Sequence, residues 1–356
     1  LWVRTGGSKG TVPMSMSWRP LILRFQVYLI QWRMSGRNRG FANENKGFMK
    51  IAIVGAGGVG GYFGGKLCQA GNEVVFLTRG KALEAIRENG LKVKSFMGDF
   101  TVHPEVSDRP DCVRGADLVM LCTKSWQIDE VGAAIKPHLK GDAIVLPLQN
   151  GADNAERLLK ILPPENVIGG LCKIVSKIES PGVINHFTFV PEVIFGELSQ
   201  EISPRCQKIK TVFDKAGFKN KLSENIHRDI WLKFLFITSI SALGALTRSV
   251  LGTMREDPFL REKIMETAAE IVEVGKRQGV DIEKKDIQIA LEMIDNGDFG
   301  TTMSLQRDMM EGRPSELENF NGYIVRKGDD LGIDTPVNDF IFYSLLPMEK
   351  KSRGLS

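Results

Sequence analysis

Histidine is scarce. His103, His138, His186 and His227 are the four in 356 residues, and none stands in HxxxH or HExxH spacing, so a metal centre built on imidazoles is not expected. The five cysteines (Cys68, Cys112, Cys122, Cys172, Cys206) are odd in number, far apart and without a CxxC pair. That excludes a disulfide framework and leaves reduced thiols in a cytoplasmic protein. No GxSxG turn or Cys/His pairing argues for a hydrolase. The apolar stretch from Pro20 to Trp32 is 13 residues long and contains Arg24, too short and too charged to cross a bilayer. No other stretch reads as a membrane span, and there is no internal repeat or low-complexity tract.

Net charge is also low, +4 from 47 Lys and Arg against 43 Asp and Glu, but unevenly spread. Residues 1–48 hold eight basic residues and one acid, Glu44, a local +7 that leaves −3 for the remainder. A basic arm suits a nucleic-acid tail, a membrane-surface helix or a transit peptide. This one has no repeated helical pattern, and Met49 stands directly before a strong strand signal. Residues 1–48 are therefore expected to be a vector-derived or upstream-translated leader, and the body is expected to use neither nucleic acid nor membrane.

From Met49 the pattern is regular. KIAIVGAG (50–57) is a β-branched run ending in glycines, and residues 59–70 have helical spacing that Gly71 stops. EVVFLTR (73–79), ADLVMLCTK (116–124) and DAIVLPLQN (142–150) read as further buried strands separated by helices. Such alternation predicts an α/β fold with a doubly wound parallel sheet of Rossmann type. Sheet is expected to continue to about residue 200 through VIGGLCKIVSK and VINHFTFVPEVIFGE. After Ser223 the periodicity predicts only helices, over about 225–247, 257–278, 283–296, 302–312 and 316–332, with a last one after Pro336. The expected organisation is a leader (1–48), a dinucleotide-binding domain (49–222) and an all-helical domain (223–350). The active site would lie in the cleft between the last two, and the apolar helical domain offers a surface for a homodimer.

GAGGVG at Gly55–Gly60 has GxGxxG spacing, with Gly55, Gly57 and Gly60 in the glycine positions and Ala56, Gly58 and Val59 between them. The hexapeptide alone is a weak signal. Between a strand and a helix it predicts a dinucleotide site, the three glycines serving a tight turn, approach of backbone to pyrophosphate, and packing of helix on strand. The second strand ends in Thr78, Arg79, Gly80 and Lys81, without the acid that an NAD ribose wants, so NADPH with Arg79 at its 2′-phosphate is expected. Lys124, closing a later strand at the ligand-binding edge, either touches phosphate or ribose or is simply solvated.

IWLKFLFITSISALGAL (230–246) carries one charge, Lys233. Burying an unpaired ammonium is costly, so the lysine either snorkels to the surface or points into the cleft, where it would give a proton to a substrate carbonyl. An adjacent carboxylate would keep it charged.

Six collinear segments carry a family resemblance: KIAIVGAGGVGGYFGGKL, CTKSWQ, LQNG, IWLKF, TTMSLQRDMMEGRPSELENFNG and TPVN, running from Met49 to about Pro347. Together they resemble ketopantoate reductase (2-dehydropantoate 2-reductase). The resemblance implies NADPH-dependent reduction of a small-molecule 2-oxo acid, 2-dehydropantoate to pantoate in pantothenate biosynthesis. It implies Lys233 as proton donor to the keto oxygen, Asn150 beside nicotinamide and substrate, Glu316 as the acid of the site and Ser304 at the substrate carboxylate. Arg79 and Lys124 match positions associated with the NADPH phosphates. The bland account of Glu316 is an acid at a helix N-terminus, favoured there by the helix dipole, and the two accounts are compatible.

One and two turns beyond the lysine, where the family's best-known members carry asparagines, this chain has Ile237 and Ser241, the latter a substrate-binding candidate by its place on the helix face. Arg248, Arg307 and Arg313 remain unassigned cations. Two alternatives stay open: reduction of another 2-oxo acid, and a non-catalytic NADPH-binding sensor.

Overall fold

The computed structural model describes residues 48–355, so the expectation for the leader lies outside the described residues. In chain order the strands are β1 (Lys50–Val54), β2 (Glu73–Leu77), β3 (Leu91–Ser95), β4 (Phe100–Val102), β5 (Glu105–Ser107), β6 (Leu118–Leu121), β7 (Ile144–Pro147), β8 (Gly169–Ser180), β9 (Val183–Gly196) and β10 (Lys219–Leu222). The α-helices are α1 (Gly58–Gln69), α2 (Lys81–Asn89), α3 (Ile128–Ile135), α4 (Asn154–Leu159), α5 (Pro204–Ala216), α6 (Ile226–Thr247), α7 (Leu251–Glu256), α8 (Pro258–Arg277), α9 (Asp286–Asp295), α10 (Ser304–Met310), α11 (Asn321–Leu331) and α12 (Pro336–Ser352).

Strands β5-β2-β1-β6-β7 form one parallel sheet. Its central strand is apolar on both faces, as a sheet covered on both sides requires. Ile51 and Ile53 enter the core under α1, while Ala52 and Val54 enter the core on the opposite face. β1 and β6 end side by side, with Val54 opposite Leu121, which puts the glycine turn and the CTKS loop together at the carboxyl edge.

The expectation that sheet continues to about residue 200 holds in length but not in kind. β8 and β9 build a second, mixed sheet with β3, β4 and β10. The segment 91–107 also departs from a simple strand-and-helix alternation. LKVKS alternates buried and exposed positions, a two-residue period that marks a half-covered strand rather than a helix. The β8–β9 ladder slips just after Lys173, which becomes important at the site.

From Ile226 on there are only helices among the described residues, and they pack around α6. Asn225 caps α6 by accepting from the Arg228 amide at 3.1 Å, and Arg248 ends it with a left-handed φ of 55°. By length and hydropathy α6 could cross a membrane, which the strand-and-helix reading overlooks; 72% of its apolar window is packed inside the molecule, as in a core helix. The expected single helix over 316–332 is a 3-10 turn (Leu317–Asn319) followed by α11, because Phe320 breaks the run with ψ −100°. The short α7 was not anticipated from the sequence.

A buried ion pair ties α6 to α9. Asp286 is 1% exposed and accepts from Arg228 at 2.7 and 3.1 Å and from the Glu283 amide at 2.8 Å. Asp286→Ala leaves a partly buried guanidinium with only the Asp281 carbonyl as partner and should cost about 3 kcal/mol, read as a lower urea midpoint at unchanged m-value. An unchanged midpoint would mean the pair contributes nothing to holding the helices.

Candidate active site

The glycine turn is built for close approach. Gly55 has φ +103°, and a methyl group there would lie 3.0 Å from the Cys122 carbonyl carbon. At Gly60 a methyl would lie 1.9 Å from the Gly55 oxygen, so α1 seats on β1 only without a side chain. Gly58 faces Ser176 of β8, 2.6 Å from a methyl at that position, whereas Gly57 has nothing within 4 Å. Three of these positions are closed by protein, and Gly57 leaves open the side from which an anion would come. Gly57 opens α1 without a side-chain cap, so first-turn amides remain available to a pyrophosphate. Ala56 and Val59 turn their side chains toward the protein core.

Arg79 is exposed just past β2 and makes no hydrogen bond or ion pair among the described residues. Lys124 is neither free nor simply solvated. Its ammonium pairs with Asp308 of α10 at 2.7 Å, and Arg313 donates to the other Asp308 oxygen at 2.8 Å. Of the remaining unassigned cations, Arg307 donates to Thr302, and burial pushes its guanidinium below the ordinary arginine range. Arg248 closes α6.

Lys233 does not snorkel outward. Its Nζ donates to Asn150 Oδ1 at 2.7 Å and to the Cys172 carbonyl at 2.6 Å. That carbonyl lies one residue before the slip in the β8–β9 ladder. Asn150 in turn donates from Nδ2 to Glu316 Oε2 at 3.3 Å, and Glu316 Oε1 accepts from the Ser125 amide at 3.2 Å and hydroxyl at 2.9 Å. Side chains from the sheet edge (Ser125, Asn150), from α6 (Lys233) and from the turn before Leu317 (Glu316) thus form one hydrogen-bonded row across the cleft. Glu316 is 3% exposed and opens only a 3-10 turn, so its place is explained by these partners and not by a helix dipole.

The expected neighbouring carboxylate is Glu316, reached through Asn150, and it favours the charged lysine while burial opposes it. Burial dominates and lowers the ammonium below the ordinary 10.5, with Cys172 and Glu316 only partly opposing it and Lys173 adding to the fall. A recess beside the ammonium is lined by Gln149, Asn150 and Gly151, by Leu171, and by Ile230, Phe234 and Ile237.

Two expected substrate contacts lie apart from this row. Ser241 is 1% exposed and gives its proton to the Ile237 carbonyl of its own helix. Ser304 opens α10 half-buried and makes no side-chain hydrogen bond among the described residues.

The family model described as ketopantoate reductase PanE/ApbA matches residues 51–200, and its C-terminal counterpart matches residues 225–349. The chain belongs to the ketopantoate reductase family. It is accordingly an oxidoreductase with that family's fold, a parallel-sheet N-terminal part followed by helices. The 2-dehydropantoate 2-reductase of Pyrococcus abyssi is 30% identical over 291 residues, 82% of this chain and 94% of the relative. The uncharacterized oxidoreductase YkpB of Bacillus subtilis is 29% identical over 83% of this chain and 98% of its own length. The crystal structure of a PanE/ApbA family ketopantoate reductase from Ralstonia eutropha JMP134 superposes with TM-score 0.79 at 31% identity, covering 86% of this chain and all of that one. A D-mandelate dehydrogenase solved with NADH and anilino(oxo)acetate reaches TM-score 0.79 over 86% of this chain and 99% of its own, but at 24% identity that likeness is one of fold alone.

Within this ketopantoate reductase fold, Ser125, Asp308 and the Cys172 carbonyl were not singled out from the sequence. Ser125 sits inside the CTKSWQ segment, so its signal was position in a motif. Asp308 likewise lies inside TTMSLQRDMMEGRPSELENFNG, but its pairing with a lysine 184 residues away, like the approach of the Cys172 carbonyl to Lys233, exists only after folding.

Proposed function

We propose that the protein reduces a 2-oxo acid to the 2-hydroxy acid with NADPH, Lys233 delivering the proton to the carbonyl oxygen. The observation that carries this reading is the Lys233 ammonium, enclosed in an apolar helix yet held by Asn150 and Cys172 at the edge of a recess. A bound nicotinamide supplies the hydride to the keto carbon. The chain's own groups do the rest. Asn150 fixes the direction of Nζ, Glu316 and Ser125 fix Asn150, and the lowered ammonium gives up its proton more readily than an exposed lysine would. A non-catalytic sensor has no use for this buried row. Relatives named 2-dehydropantoate 2-reductase make ketopantoate the natural first substrate to try. The test is loss of NADPH absorbance with a panel of 2-oxo acids. A protein that binds NADPH but turns over none of them would overturn the reading.

The preference for NADPH rests on Arg79, since a fold neighbour was solved with NADH. Arg79→Ala should raise the KM for NADPH by about 10- to 100-fold, the worth of a charge-assisted hydrogen bond, with the KM for NADH nearly unmoved. Equal effects on both cofactors would remove Arg79 from the 2′-phosphate. The free thiols support the expected cytoplasmic setting.

A further inference from the structure

We propose that the substrate carries a branched aliphatic substituent without a hydroxyl, and that Ile237 sets this choice; the proposal rests on the reductase reading above and narrows its substrate. The recess beside Lys233 has a mixed lining. The ammonium and the Asn150 amide suit a carbonyl and a carboxylate. Leu171 of β8 and Ile230, Phe234 and Ile237 of α6 supply the apolar part of the lining. Residues 230, 233, 234 and 237 fall on one helical stripe, so the side chain one turn beyond the ammonium is pure hydrocarbon.

With one exception, the polar groups near these apolar residues are already engaged. Ser241, one turn further on, has spent its proton on the Ile237 carbonyl and is buried. Glu316, the acid that could accept from a substrate hydroxyl, does not border the recess, and both its oxygens already accept from Ser125 and Asn150. A hydroxyl pressed against Leu171, Phe234 and Ile237 would give up water and gain no partner, whereas methyl groups there gain by burial. One atom points the other way. Gln149 Oε1 is buried without a partner among the described residues and would serve a substrate hydroxyl if one reached it. The choice therefore turns on a single group and can be measured with a pair of compounds that differ only in it.

The pair is ketopantoate (4-hydroxy-3,3-dimethyl-2-oxobutanoate) and 3,3-dimethyl-2-oxobutanoate, assayed with NADPH and the full-length protein. The hydroxyl-free acid should have the higher kcat/KM by about 10-fold or more, within the range over which an apolar pocket discriminates by one group. Ile237→Asn should move the ratio about 10-fold toward ketopantoate, while Ile237→Val should keep it. A wild-type protein that favours ketopantoate, or treats the two alike, overturns this proposal and leaves the reductase reading standing. Absence of turnover with any 2-oxo acid overturns both. A ratio unmoved by Ile237→Asn, in a variant with unchanged NADPH affinity, removes Ile237 as the determinant.

Discussion

Lys233→Ala should lower kcat by about 10²- to 10⁴-fold, the usual worth of a positioned general acid, with cofactor affinity nearly unchanged. The lysine lies across the cleft from the glycine turn, and its two hydrogen bonds run to Asn150 and Cys172 rather than to the segments that would hold a pyrophosphate. Lys233→Met, which keeps the volume and apolar stem, should be as slow as the alanine variant, because the proton is lost in both. A variant that kept its rate would refute the donor role. The pH profile gives a second readout. The donor is the ammonium, so activity must fall as pH rises through the Lys233 pKa. Burial has moved that pKa below 10.5, and the basic limb should therefore appear at lower pH than an exposed lysine would give. Asn150→Ala in the otherwise unchanged protein should slow the reaction without deleting the limb, since Asn150 orients the proton and does not carry it.

How far the sequence reaches is visible in the same residues. Local signals were sufficient wherever one element decides the outcome: the glycine spacing after β1, the apolar run of α6 with its lone lysine, and the change to helices past Ser223. They failed where the decision is made by pairing. Strand β9 reads simply as strand, yet its partnership with β3, some ninety residues earlier in the chain, determines that it leaves the main sheet. Glu316 illustrates the point at the site. Its sequence neighbours suggest a helix-start acid, and only the approach of Ser125 and Asn150 from the other side of the cleft makes it the anchor of the row. Lys124 was legible as a cation at the ligand edge, but its pairing with Asp308 was not, since nothing in either segment names the other. The Lys233 pKa lay beyond the sequence for a related reason. A sequence can suggest a carboxylate neighbour, but the depth of burial that outweighs it is a property of the packed cleft.

The second large effect concerns the glycine turn and separates packing from ligand approach. Gly60→Ala should bind cofactor at least about 10-fold more weakly and lose about 1–3 kcal/mol of stability, the cost of forcing extra volume into a packed contact. The added methyl would lie 1.9 Å from the Gly55 oxygen and 3.0 Å from both Ile53 and Cys122 side chains. The first of these is backbone, in a residue whose φ of +103° already fixes where the carbonyl points, so relief requires α1 to move off β1. Gly57→Ala provides the contrast. With nothing within 4 Å of its methyl, the fold should melt as before, yet the methyl occupies the side through which backbone and pyrophosphate meet. Thermal melting with and without NADPH reads both outcomes at once. Gly60→Ala should lower the melting temperature of the free protein, whereas Gly57→Ala should leave that temperature alone and shrink only the rise that the cofactor confers. A Gly57→Ala protein stabilised by NADPH as strongly as its parent would place the pyrophosphate elsewhere than at this turn.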